Sequence, residues 1–128
     1  MRPITSEWVA KAEADLLTAE REQRAEQSPN YDAAAFHAQQ CAEKYLKARL
    51  IEGEISFPKT HDLGAILKLV LPLEPAWASL RDELNALTDL AVEVRYPGAS
   101  ADADDAARAV ATARKVRNLA RANLGIAP

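Results

Sequence analysis

The sequence predicts an all-α fold: an up-and-down antiparallel bundle of about five helices, four long and one short. Three observations carry this expectation. Alanine is abundant and β-branched residues are few, which favours helix. Only four glycines occur in 128 residues, whereas a β-sandwich or barrel needs a turn residue roughly every 8–12 positions. Apolar residues recur at helical spacing in successive segments, and short breakers separate them.

The first helix is expected from Ser6 to Ala25, with Thr5 or Ser6 capping its free N–H groups. Trp8, Ala12, Leu16 and Ala19 form its apolar face, and Pro29 ends the segment. The second runs from Tyr31 to Glu52, with Gly53 as a left-handed C-cap. Its apolar face is Ala34, Ala38, Cys41, Ala42, Tyr45 and Ala48. Phe57-Pro58 gives an extended entry to a short third helix, Asp62 to Leu71, striped by Leu63, Ile66, Leu67 and Val70. Pro72 and Pro75 punctuate the next turn. The fourth helix is expected from Ala76 to Arg95, with Leu80, Leu84, Leu87, Ala91 and Val94 at the spacing of a bundle seam. Tyr96-Pro97-Gly98 breaks it. The fifth runs from Asp102 to Asn123. Asp102, Asp104 and Asp105 suit the positive end of its dipole, and Arg114, Lys115, Arg117 and Arg121 its negative end.

Composition narrows the function. Apolar residues make up 48% and charged residues 27%, which excludes a wholly disordered chain and fits one domain over residues 1–128. The net charge of -3 supplies no global attraction for nucleic acid, so any such contact needs a local cationic cluster. Cys41 is the single cysteine, which rules out an intramolecular disulfide; its place on an apolar face reads as a small buried hydrophobe. The N-terminus lacks the apolar core of a signal peptide and no apolar run approaches a membrane span, so a soluble cytoplasmic protein is expected. Two histidines are too few for a metal site, and no glycine-rich loop is present to cradle phosphates. No cofactor or metal is expected.

The stretch from Ala34 to Ala48 resembles the second helix of the HEPN domain family, the higher eukaryotes and prokaryotes nucleotide-binding domain. Lys59-Thr60-His61-Asp62-Leu63 resembles that family's Thr-His-Asp-Leu signature, and Glu93-Val94-Arg95-Tyr96-Pro97-Gly98 its Arg-Tyr-Pro segment. The three matches come in the family's order, and the resemblance spans roughly residues 6 to 123. It implies a helical bundle and a homodimer. It also implies a separately encoded minimal nucleotidyltransferase as partner, in a toxin–antitoxin type of pair. Ribonuclease members of the family carry an Arg-x4-6-His motif. Here the positions that would hold its histidine after Arg95 are Ser100, Ala101 and Asp102, and neither His37 nor His61 has an arginine at the required distance. The imidazole that would move a proton at neutral pH is therefore missing from that motif.

The resemblance and the residue chemistry together give candidate nucleotide-binding residues: His37, Gln40, Lys44, Lys47, His61, Arg95 and Tyr96. His37, Gln40, Lys44 and Lys47 are spaced as a polar stripe on the second helix. They read either as the floor of a phosphate-binding groove or as a solvated face with a Glu43–Lys47 pair. Arg95 reads as a bidentate phosphate ligand with Tyr96 stacking on a base, or as a partner for a carboxylate or helix end. His61 faces that groove or packs beside a capped helix start. The expected function is a non-catalytic nucleotide- or RNA-binding interaction module. The alternatives are a ribonuclease toxin using His61 and Arg95, and a dimeric structural scaffold.

Overall fold

Helix α2 (Tyr31–Glu52) runs through the middle of the molecule, packed most extensively against α1 (Pro3–Arg24) and α5 (Ala103–Asn123). The computed structural model describes residues 1–128. The remaining elements are α3 (Leu63–Val70), a 3-10 helix (Pro75–Leu80) and α4 (Arg81–Glu93), with no strand. Side-chain links give the directions. Arg2 bonds to Ile51 and Glu52, and Glu22 bonds to Asn30, so α1 and α2 are antiparallel. Glu13 meets Arg121 and Glu20 meets Arg114, so α5 also opposes α1. Glu83 of α4 meets Lys115 of α5, while Arg95 beyond the end of α4 lies over Phe36 near the start of α2. The architecture is the expected helical bundle.

The small side chains of α2 explain its central place. Ala34, Ala35, Ala38, Ala42 and Ala48 are fully buried and let neighbouring backbones approach closely. Tyr45, Leu46 and Leu50 fill the remaining space. Every residue of the predicted α3 stripe, Leu63, Ile66, Leu67 and Val70, is buried. No helix is long and apolar enough to cross a membrane.

Several local expectations are corrected. Helix α1 begins at Pro3 rather than Ser6, because proline's missing N–H costs nothing in a first turn. Thr5 is consequently inside the helix and is no cap; its hydroxyl donates to Glu52 Oε1 at 2.8 Å. The inward face of α1 is led by Val9, while Trp8 is half-buried against Phe57. Gly53 is not left-handed, with φ at -83°; the positive φ falls one residue later, at Glu54. A Cβ at 53 would come within 2.6 Å of Leu73 Cδ1, so a larger residue there has to push the Leu73 side chain aside.

The expected fourth helix is divided. Pro75 starts a 3-10 helix through Leu80, and α4 proper runs only from Arg81 to Glu93. Residues three apart eclipse in a 3-10 helix, so Trp77 and Leu80 both point into the core. The earlier end of α4 leaves Arg95 and Tyr96 in the following turn. Asp102 lies outside the first turn of α5 as its N-cap, in a reciprocal capping box with Asp105.

Candidate functional site

Three polar residues of α2, Gln39, Glu43 and Lys47, form an i, i+4, i+8 row that points inward and is almost fully buried. Glu43 is the acceptor at its centre. Its carboxylate takes hydrogen bonds from Lys47 Nζ at 3.0 Å and Gln39 Nε2 at 3.1 Å, and lies 2.8 Å from His61 Nδ1. The row also ties down the loop before α3: Gln39 Nε2 donates to the His61 carbonyl at 2.9 Å and Lys47 Nζ to the Thr60 carbonyl at 3.1 Å. Burial alone would raise the Glu43 carboxyl, but bonds from His61, Lys47 and Gln39 outweigh it and hold the group below its usual range. A buried carboxylate and ammonium are tolerated when both are fully bonded, and no buried side-chain polar atom in the chain lacks a partner.

The loop itself is built from local bonds. Asp62 caps α3 through Gly64 N at 3.0 Å and Ala65 N at 3.3 Å. Thr60 Oγ1 accepts from Asp62 N, and Thr88 of α4 accepts from Leu63 N. His61 is thereby presented outward, its side chain 66% exposed, with Nδ1 anchored on Glu43 and Nε2 free of the protein.

Opposite His61 stands Arg95. The two share a cleft of about 170 Å³ with Gln39, Asp62, Thr88 and Val92. The Arg95 guanidinium packs over Phe36, 5.5 Å from the ring centre, and engages no carboxylate. Tyr96 follows it in the chain and is 65% exposed. The arrangement offers one cation without an ion pair, one oriented imidazole and one aromatic face, beside the Asp62 carboxylate that caps α3.

The predicted polar stripe on α2 does not hold together as a groove floor. Successive residues turn by about 100° around a helix, so Lys47 lies only about 40° from Glu43 but about 80° from His37. Lys47 is 6% exposed, seals against Glu43 and lies over the Trp8 and Phe57 rings. His37 and Lys44 turn toward α1 instead, where both engage Asp15, His37 Nδ1 at 2.8 Å. Gln40 Nε2 donates to the Gln39 side-chain oxygen Oε1 at 2.7 Å. His37, Lys44 and Lys47 thus face carboxylates of this chain and are absent from the cleft. Of the seven candidates, His61 and Arg95 line it, and Tyr96 stands beside it in sequence.

Sequence reasoning named the Glu43–Lys47 pair but placed it on a solvated face, whereas it is buried; Gln39 and Asp15 were missed. The signal for a buried row was present: Gln-x3-Glu-x3-Lys at 39, 43 and 47 in a helix otherwise rich in alanine and leucine. A second knot missed in the sequence joins three helices, where Glu13 of α1 accepts from Tyr45 at 2.7 Å and from Arg117 and Arg121 at 2.8 Å. Cys41 lies buried as expected; burial, then the nearby Glu13 and Asp15 charges, push its thiol well up, so it is no nucleophile.

No curated protein matches the sequence. Among solved structures, the crystal structure of the archaeal HEPN homologue ST0689 superposes with a TM-score of 0.75. It is 23% identical, and the alignment covers 96% of this chain and 98% of that one. At that identity the likeness establishes the fold. The HEPN domain family profile matches residues 5–123, a span that holds all but the first two residues of α1, the Glu43–His61 anchor, the Arg95 turn and α5. The chain therefore belongs to the HEPN domain family.

Proposed function

We propose that this HEPN domain is a binding module for nucleotides or RNA ends, with the His61–Arg95 cleft taking a phosphate group. The observation that carries the reading is the Arg95 guanidinium, without an ion pair, facing an imidazole anchored on buried Glu43. Guanidinium and N–H donors converging on one point suit a phosphate's oxygens. Size refines it. The cleft of about 170 Å³ is smaller than pockets that enclose whole small molecules, roughly 300–1,000 Å³. It accepts one phosphate and leaves the nucleoside outside, where Tyr96 offers a stacking face.

Binding is tested with a short fluorescent RNA carrying or lacking a 5′-phosphate. The phosphorylated form binds more tightly, the preference shrinks as salt rises, and Arg95→Ala removes it. Equal binding of the two forms overturns the reading. Family membership also supports a homodimer and a separately encoded minimal nucleotidyltransferase as partner, with the pair acting as toxin and antitoxin. Mass spectrometry of the complex purified from its native host tests that assignment.

The Glu43–His61 pair favours a second reading, a ribonuclease. A carboxylate that fixes Nδ1 leaves Nε2 free to move a proton at a ribose hydroxyl, and Arg95 would stabilise charge on the phosphate. RNA cleavage abolished by His61→Ala supports it; cleavage that survives the substitution removes it.

A further inference from the structure

We propose that the groove between α4 and α5 docks a basic amphipathic helix from a separate protein. The groove holds about 510 Å³ and is partly open to solvent. Its floor is apolar, formed by Leu87, Leu90 and Ala109. Ala86 and Ala111 stand on its two walls, where larger side chains would close the gap. On α4 the lining residues Glu83, Ala86, Leu87, Leu90 and Glu93 recur at i, i+3, i+4, i+7 and i+10, the pattern of a helix face that meets another helix. That face is about 15 Å long at 1.5 Å per residue, which matches about three helical turns of a partner.

Charge selects the occupant. The rim is acidic: Glu83, Asp89 and Glu93 on α4, and Asp105 on α5. Lys115 holds Glu83 and Arg108 holds Asp105, while no ion pair engages Asp89 or Glu93. Asp104 is exposed at the same end of α5. An apolar trough with unpaired carboxylates on its edge fits a helix whose apolar stripe is flanked by arginine or lysine. Nucleic acid and anionic membranes are repelled by the same rim. A second copy meeting this groove with its own α4–α5 face is a poor occupant, because Arg108, the one cation lining the groove, already holds Asp105 of its own chain. Two copies would bring like charges together at Asp89 and Glu93.

The probe is a synthetic helical peptide of about four turns, with leucine and alanine on one face and arginine along its flanks. A second peptide replaces every arginine with glutamate. Asp89→Lys/Glu93→Lys is the test variant; both positions are exposed and unpaired, so circular dichroism and thermal unfolding stay unchanged. The arginine peptide binds the wild type at least about tenfold more tightly than the variant, and more weakly as salt rises. The glutamate peptide does not bind. In NMR spectra the Ala86 and Ala111 methyl signals move on titration. Equal affinity for the variant, or stationary methyl signals, overturns the proposal. So does a wild-type dimer in sedimentation that Leu90→Arg converts to monomer, since the groove would then be filled by a second copy.

Discussion

Glu43 Oε1 of α2 lies 2.8 Å from His61 Nδ1, and this contact joins the buried interior to the exposed cleft. The same carboxylate holds Lys47 at 3.0 Å, in a place where Lys47 has almost no solvent. Removing either partner strands the other charge. Glu43→Ala and Lys47→Ala should each cost about 3 kcal/mol in urea unfolding, the usual scale for a broken buried pair. Glu43→Leu combined with Lys47→Met should recover much of that loss, because two apolar side chains leave no unpaired charge. A double variant as unstable as the sum of the singles would contradict this account.

The Glu43 carboxyl also sets a pH dependence. Its pKa in the folded chain lies below the ordinary glutamate value of about 4.5, because the hydrogen bonds from His61, Lys47 and Gln39 overcome burial. A group depressed on folding binds fewer protons folded than unfolded. Its contribution is complete above the unfolded value and is lost as pH falls through the folded one. Stability should therefore fall with acid below about pH 5. In Glu43→Gln the fall should be shallower. Some slope remains there, since Glu52, bonded by the Arg2 N–H and Thr5, and Asp105, bonded by the Asp102 N–H, are depressed as well. Denaturation midpoints measured across the acid range for both proteins check it.

Asp62 carries two backbone N–H groups of α3 on one carboxylate oxygen. Asp62→Ala should cost about 1 kcal/mol, the usual value of an N-cap. It should also loosen the His61 loop, so the phosphate preference of the cleft weakens alongside the thermal midpoint. Asp62→Asn loses the same charge from the cleft but keeps a cap acceptor, so it should restore the thermal midpoint and bind phosphate more tightly than Asp62→Ala does. A loss of stability with an unchanged phosphate preference would separate the cap from the site.

The Cys41 thiol is buried and its ionisation is suppressed, first by desolvation. A thiol-specific reagent should leave the native protein unmodified for as long as it stays folded, and modify it on addition of denaturant. Rapid labelling of the native chain would show that α2 opens on its own.

The fold was legible because helical period and breakers agree along the whole chain. The α3 stripe of Leu63, Ile66, Leu67 and Val70 and the α2 boundaries stand as the spacing predicts. The site was half legible. His61 and Arg95 could be named from short segments, but the partner of each depends on how α2 is turned. A polar stripe on a helix reads as solvated when one face alone is buried. Helix α2 is buried on nearly every side, so its polar residues needed partners from elsewhere in the chain, Asp15 on one side and the His61 loop on the other. Local spacing carries no record of those partners. The division of the fourth helix was hidden for a related reason: Trp77 and Leu80 fit an α-helical seam and a 3-10 turn alike.

The central claim is that the cleft between His61 and Arg95 recognises phosphate. The most direct test is calorimetric titration of adenosine monophosphate and of adenosine into the wild type and Arg95→Ala. The nucleoside is common to both ligands, so their difference isolates the phosphate. Arg95 is exposed and outside the core, so the variant keeps its thermal midpoint. The wild type should bind the monophosphate about tenfold more tightly than the nucleoside, and Arg95→Ala should erase that difference. Equal affinities in the wild type, or a difference that survives in Arg95→Ala, would contradict the account.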